Sequence, residues 1–514
     1  MKAPATARRE TLLPESEAPD HRKVTWTRLR REALTRFGVR SFRPGQMDII
    51  EAIFHGRDVF GVLPTGAGKS LCYQLPALFL PKPVIVVSPL IALMQDQKQH
   101  LVDADVKVTK IDSTLAAREA RDARDDVEQG RSKLVYVTPE RLEKPEYVAL
   151  LAAKGASLVV VDEAHCVSQW HDFRPAYLAL HRAVRALGRP PVLALTATAT
   201  PEITADVVKL LDMDRPQTVN TGVARDNLAL EVMRTPNEDV KRTRLMEIVR
   251  SNAGAKKRGV GIVYVATVRA AEELYAWLRE GGVAVERYHG KLATRARQDV
   301  QARFMDDAYD VIVATNAFGL GIDKPDIRYV VHYNFPDSIE RYYQEAGRAG
   351  RDGEPARATL LYRLEDRRIQ SSFLGGKYPR REDWLKVYAA LMAAPRLPWT
   401  LEDVVGEAEV TERRAKVIVA ELESAGVVVR ASGRQSVRVN ARARSSAFDH
   451  AVQAYETRLE DDRARIEAVM HYAQSTRCRA ELIEEYFGVA TSGPCARCDN
   501  CRTDAAHTAA SASA

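Results

Sequence analysis

Pro64-Thr65-Gly66-Ala67-Gly68-Lys69-Ser70 is the stretch most plainly suited to chemistry. Glycines let backbone N–H groups turn inward around phosphate oxygens, and a helix starting just beyond adds partial positive charge. In such a loop Thr65, Gly66 and Gly68 form the cradle, Lys69 reaches the β- and γ-phosphates, and the Ser70 hydroxyl ligates Mg²⁺. The strict pattern has glycine five positions before Gly68, where this chain has Leu63, so a Gly-rich structural turn is the competing reading. A second group weighs against that alternative. Leu158-Val159-Val160-Val161 runs straight into Asp162-Glu163-Ala164-His165. A carboxylate at the C-terminal end of a parallel strand, in the same lobe as a phosphate loop, is where a Mg²⁺ partner belongs. Asp162 is read as holding Mg²⁺ through water, and Glu163 as positioning and deprotonating the attacking water.

Cys478, Cys495, Cys498 and Cys501 form a second chemical cluster near the end of the chain. Four thiolates satisfy tetrahedral Zn²⁺, and the two Cys-x-x-Cys steps bring sulfurs together with little loop strain. All four positions are filled by protein, which favours a structural metal, although an iron–sulfur cluster also accepts four cysteines. Cys72 and Cys166 read as unligated core thiols.

Elements must hold these groups in place. Asp58–Leu63, Val84–Val87, Leu134–Val137, Leu158–Val161, Val192–Leu195, Ile262–Val265, Val311–Ala314 and Tyr329–His332 are short apolar runs separated by amphipathic stretches. That alternation marks buried parallel strands in α/β domains. The region is too long for one such domain, and Arg215-Pro216 offers a break, giving one lobe over 24–217 and a second over 218–365. Beyond lies a helical connector over 366–395. Leu401–Ala408, Thr411–Ser424 and Gly426–Val439 then read as helix, helix and hairpin, the outline of a winged helix-turn-helix over 396–442. A helical zinc-binding module spans 443–502, and residues 1–23 and 503–514 read as disordered tails.

Composition narrows the partners. The chain has 514 residues, enough for three or four domains, and 76 Lys+Arg against 69 Asp+Glu leave a net charge of +7. So small a surplus attracts a polyanion only where it gathers on one face. No apolar run approaches the ~20 residues of a membrane helix, and Met1–Lys23 lack the apolar core of a signal peptide, so neither a membrane nor an exported protein is expected.

The phosphate loop and acidic box resemble those of superfamily-two helicases, and the remaining motifs resemble the RecQ family of DNA helicases. Phe42-Arg43-Pro44-Gly45-Gln46 is similar to the family's adenine-reading segment, which implies nucleotide-binding roles for Arg43 and Gln46. Val86–Gln97 and Val137–Leu142 resemble its strand-contacting segments. Leu193–Ala199, with Thr196 and Thr198, resembles the segment coupling ATP to DNA. Ala314–Pro325, containing Thr315 and Asp323, and Gln344–Gly353, containing Arg348 and Arg351, resemble the motifs of the second lobe. Cys166–Pro175 is similar to the aromatic-rich loop that senses single-stranded DNA, which implies DNA contact or coupling by Trp170, Phe173 and Arg174. Thr476–Arg479 and Tyr486–Gly488 match the family's zinc module.

The resemblance implies two tandem RecA-like lobes followed by winged-helix-like and zinc-binding parts. It also implies ATP, Mg²⁺ and Zn²⁺ as cofactors, with Asp323 among the nucleotide contacts. Arginines Arg348 and Arg351, three apart on a helix, face the γ-phosphate from the opposing lobe. The expected activity is 3′→5′ unwinding of duplex DNA during translocation on a single strand, in repair and recombination. Single-stranded and forked DNA are the expected partners, with a single-stranded-DNA-binding protein beside them. A cytoplasmic, nucleoid-associated monomer is the expected form. An RNA helicase, or a DNA-binding regulator with a decayed ATPase, are the alternatives. The chain departs from the family in three places. Its aromatic loop is one residue shorter, His289-Gly290-Lys291 stands where His-Ala-Gly is usual, and the winged-helix outline precedes the zinc cysteines. Any duplex contact is therefore expected from Arg413, Arg414, Lys416, Arg430, Arg434 and Arg438.

Overall fold

The β-branched runs become buried strands in two separate parallel sheets. A computed structural model of the protein describes residues 24–169, 180–253, 259–319, 324–393, 395, 397–430, 436–443 and 446–503. The first sheet contains β1 (Val59–Val62), β2 (Val84–Val87), β3 (Val108–Ile111), β4 (Leu134–Val137), β5 (Leu158–Val161), β6 (Val192–Thr196) and β7 (Gln217–Asn220). Their order is β3-β4-β2-β5-β6-β1-β7. The second contains β8 (Leu228–Arg234), β9 (Val260–Tyr264), β10 (Val285–Tyr288), β11 (Val311–Ala314), β12 (Ile327–His332) and β13 (Ala356–Tyr362), in the order β10-β11-β9-β12-β13-β8. Helices cover both faces of each sheet, so the internal strands are predominantly apolar. These are two RecA-like lobes.

The boundary expected at 217 cuts through a strand. Gln217–Asn220 pairs in parallel with β1, so the first sheet runs to Asn220. The Arg215-Pro216 turn is pinned from inside: the Asp58 carboxylate accepts from the Asp214 amide at 2.7 Å, the Val192 amide at 2.8 Å and the Arg189 guanidinium at 2.6 Å. A buried anion with that many donors organises the turn as part of the lobe.

A third, smaller core lies beyond residue 366. Helices Leu401–Ala408 and Glu412–Ser424 lie between β14 (Trp399–Thr400) and the hairpin of β15 (Val428–Arg430) and β16 (Ser436–Val439), and the three strands form an antiparallel sheet in the order β14-β16-β15. This is the winged-helix outline. Its core, however, takes Trp384, Val387 and Leu391 from helix Arg381–Ala393, which the sequence assigns to a connector. It also takes Phe448, Val452 and Tyr455 from helix Ala447–Gln474, assigned to the zinc module. The C-terminal half of that same helix packs Ile466, Val469 and Tyr472 into the second lobe, beside Leu482, Ile483 and Phe487. One helix therefore belongs to two cores. Thr503, placed at the start of the tail, still hydrogen-bonds the Asp499 carbonyl at 2.9 Å.

Candidate active site

Strand order brings the two chemical segments of the first lobe together. β5, β6 and β1 are adjacent and parallel, so the loops leaving their C-terminal ends meet at one edge of the sheet. The loop after β1 carries Thr65, Gly66, Gly68, Lys69 and Ser70, and helix Leu71–Ala77 follows it. Gly68 needs its left-handed φ of +71°, and a Cβ there would stand 2.8 Å from Gln46 Nε2. The Gln46 side chain is buried, donating to the carbonyls of Ala67 at 3.0 Å and Gly68 at 2.9 Å and accepting from the Arg43 amide at 2.8 Å. In this structure it braces the phosphate loop. Lys69 Nζ rests 3.4 Å from the Leu63 carbonyl.

Asp162 and Glu163 leave β5 beside this loop. Burial, reinforced by the neighbouring Glu163 charge and opposed by Lys69, pushes the Asp162 carboxyl up to about 7. Glu163 adopts a left-handed φ of 50°, unusual for a residue with a side chain. Its Oε2 is buried without a hydrogen-bond partner among the described residues, 3.4 Å from His165 Nδ1. His165 is held below its ordinary pKa by burial, so it stays neutral. Thr196 Oγ1 donates to the Thr198 carbonyl at 2.8 Å, which leaves it to accept from His165 Nδ1–H at 2.9 Å. The acidic box is thereby wired to the segment after β6. Thr196 and Thr198 are both buried, their hydroxyl environment being protein rather than solvent.

The second lobe closes the cleft. Arg43, Thr65, Gly66, Gly68, Lys69, Ser70, Asp162 and Glu163 line one side of a space of about 310 Å³, and Gly319, Gln344, Arg348 and Arg351 line the other. The two arginines stand in a turn after helix Ile339–Ala346, not on a helix. Gly350, at φ +63°, breaks the helical path, and the amides of Arg348 and Ala349 bond three residues back. Arg348 is buried, and a Cβ at Gly319 would stand 3.0 Å from its Nη2. Arg351 packs against Gly66. Thr315 is buried at the end of β11, its amide bonded to the Tyr288 carbonyl. Asp323, Trp170, Phe173 and Arg174 lie outside the described residues.

Two site residues were not singled out from sequence. His165 sits inside the acidic box, where its type was the available signal. Arg225, on the linker between β7 and β8, donates to the carbonyls of Thr65 and Gly347 at 3.5 and 3.0 Å. No local pattern marks it.

The four cysteine sulfurs lie within 4.8 Å of one another. Tetrahedral Zn²⁺ with Zn–S of ~2.3 Å places sulfurs about 3.8 Å apart, so the cluster fits that ion. The amides of Cys495, Cys498 and Cys501 donate to the sulfurs of Cys478, Cys495 and Cys498 at 3.3 to 3.4 Å, which stabilises thiolates.

Comparison with known proteins agrees with this layout. Residues 43–207 match the DEAD/DEAH box helicase family, 240–353 the helicase conserved C-terminal domain, and 437–502 the RecQ zinc-binding family. The probable ATP-dependent DNA helicase RecS of Bacillus subtilis is 39% identical over 397 residues, covering 76% of this chain and 79% of that protein. The chain belongs to the RecQ family of DNA helicases. The ATP-dependent DNA helicase RecQ of Bacillus subtilis is 43% identical over 337 residues, 65% of this RecQ-family chain but 56% of the relative. The chain thus spans little more than half of that protein. Among solved structures, the Mycobacterium smegmatis helicase Lhr bound to single-stranded DNA and AMP-PNP aligns with a TM-score of 0.55 at 20% identity, covering 83% of this chain and 61% of that one. Saccharomyces cerevisiae Dbp5 bound to RNA aligns at 0.53 and 20%, covering 68% and 90%. At that identity they share the fold.

Proposed function

We propose that this protein is an ATP- and Mg²⁺-dependent DNA helicase that moves 3′→5′ on single-stranded DNA and separates duplex ahead of it, in repair and recombination. The observation that carries the reading is the cleft itself, where Lys69, Ser70, Asp162 and Glu163 of one lobe face Arg348 and Arg351 of the other. Gln46, Arg43 and the loop glycines hold the nucleotide. Ser70 and the buried Asp162 fit a Mg²⁺ ion, which neutralises charge on the phosphate oxygens when bound. Glu163, with Oε2 free to accept a proton, orients and deprotonates the attacking water. Closure of the lobes on ATP brings Arg348 and Arg351 onto the γ-phosphate, where such arginines supply ~10³–10⁵ in rate, and hydrolysis lets the lobes reopen. Alternating grip on the DNA backbone converts that cycle into steps. The polarity and the pathway rest on the RecQ resemblance. A DNA substrate is favoured over RNA because the family relatives are named DNA helicases, whereas the RNA-bound neighbour shares the fold alone. Zn²⁺ on the four cysteines secures the last module to the second lobe.

The test is ATP turnover with DNA and RNA oligonucleotides of one sequence. Wild type should be stimulated chiefly by the DNA, and Lys69→Ala should lose stimulated turnover while keeping its fold. Full activity in that variant would sink the assignment.

A further inference from the structure

Arg225 lies between Asn220, where the first sheet ends, and Leu228, where the second begins. Its guanidinium spans the cleft. Nη1 donates to the Gly347 carbonyl at 3.0 Å and the Thr65 carbonyl at 3.5 Å, and Nη2 donates to the Ala349 carbonyl at 3.0 Å and to that of Gly350. Asn227 Oδ1 accepts from Nε at 3.4 Å and Nη2 at 3.2 Å. The Asn227 amide in turn donates to the carbonyls of Gly350 at 2.7 Å and Glu354 at 2.8 Å. Thr65 belongs to the phosphate loop, whereas Gly347–Gly350 is the turn that carries Arg348 and leads into Arg351. One planar group therefore joins the two halves of the reaction centre.

The chemistry of this contact goes beyond bracing. Every acceptor named is a neutral carbonyl or amide oxygen, and a half-buried cation loses hydration that neutral acceptors only partly replace. Burial lowers the Arg225 pKa, and the charges of Arg351 and Arg43 push in the same direction, opposed by Tyr343 and Asp352. Like charges gathered this way gain stability when an anion enters among them. The rigid fork also suits the task, because a guanidinium can serve several carbonyls in one plane and an ammonium cannot.

We propose that Arg225 is a positioning residue for ATP hydrolysis. It locks the Gly347–Gly350 turn onto Thr65, so that Arg348 and Arg351 meet the γ-phosphate in register with Lys69. This rests on the hydrolytic reading above. Nucleotide binding is chiefly the work of the first lobe, so a fault in this lock falls on the transition state and lowers kcat more than affinity.

The experiment compares Arg225→Lys with wild type in single-stranded-DNA-stimulated ATP turnover, alongside titration with a fluorescent ATP analogue. Arg225→Lys keeps the charge and loses the fork. The expected result is a kcat lower by on the order of 10- to 100-fold, as misplacement of reacting groups by about 1 Å produces, with nucleotide affinity within about threefold. Asn227→Ala, which removes the lateral support, should lower kcat in the same direction by less, and it carries the test if Arg225→Lys does not fold. Folded variants with wild-type kcat, or a change confined to nucleotide affinity, would overturn the proposal. Wild-type protein without ATPase activity would overturn the functional reading beneath it as well, whereas active wild type with unaffected variants removes this proposal alone.

Discussion

Asp162 carries an electrostatic cost in the cleft. Its carboxyl is buried beside Glu163, and its titration is displaced up to about 7 in the free protein, against 3.8 for an ordinary aspartate. The sign follows from linkage. A carboxyl whose folded pKa is raised stabilises the fold while protonated, fully below pH ~4, and that contribution fades as pH rises through about 7. Magnesium- and nucleotide-free wild type should therefore lose this contribution between about pH 4 and pH 7, with little further change above about pH 8. Asp162→Asn should show a flatter profile and melt higher than wild type at pH 8, measured by calorimetry. A parallel pair of profiles would contradict the assignment of that cost to Asp162. At this scale the phosphate loop and the acidic pair were legible because each is local, with spacing and flanking strand on one stretch of chain. Arg225 was not, because its role exists only where Thr65 and Gly347 come within reach of it. The helix expected for Arg348 and Arg351 rests on their spacing of three alone, whereas Gly347, Gly350 and Gly353 interrupt the stretch and the left-handed Gly350 turns it away from helix.

Among elements, the internal strands were the readable ones. Most internal strands of the two lobes are continuous apolar runs, β12 (IRYVVH) and β13 (ARATLLY) being interrupted by polar residues, whereas the edge strands β3 (VTKI), β7 (QTVN) and β10 (VERY) mix polar residues in and lack that signature. The long helix Ala447–Gln474 was misjudged differently. Its 28 residues reach ~42 Å, and it serves two cores by giving a different stretch of its face to each. A periodicity search sees one helix and assigns it to one neighbour. The zinc module after it is also part of a larger core: Phe487 rests against Tyr343 with ring centroids 5.9 Å apart, and Gly488 packs on Pro201 of the first lobe. Metal loss should therefore be felt beyond the cysteines. Elemental analysis should give one zinc per chain for wild type and none for Cys498→Ser. That variant should melt roughly 5 °C or more lower, since about 1 kcal/mol moves a lobe of this size by ~2–4 °C. Iron in place of zinc, or an unchanged melting point in the metal-free variant, would contradict this account of the module.

At the scale of the whole molecule, the net charge of +7 is too small to name a polyanion, and placement matters more than the sum. In the winged-helix-like unit Arg413, Lys416 and Arg438 are exposed, while Arg414 is drawn to Asp383 at 3.4 Å. The side chain of Arg430 and all of Arg434 lie outside the described residues. Deleting 396–442 would strip the partners from Trp384, Leu391, Phe448 and Val452, so charge reversal is the cleaner probe. Combined Arg413→Glu, Lys416→Glu and Arg438→Glu should leave ATP turnover on single-stranded DNA within about twofold. It should weaken forked-duplex binding at least tenfold at low salt, because each lost phosphate contact weakens binding and reduces its salt dependence. Equal fork binding would remove this unit from the duplex path. No helix among the described residues is long and apolar enough to cross a membrane. The central claim concerns the two lobes as a motor, and strand separation tests it most directly. On duplexes carrying a 3′ or a 5′ single-stranded tail, wild type with ATP should displace the strand from the 3′-tailed substrate. Glu163→Gln should bind that substrate and displace nothing. Absence of ATP-driven displacement by wild type, or displacement retained by Glu163→Gln, would contradict the account.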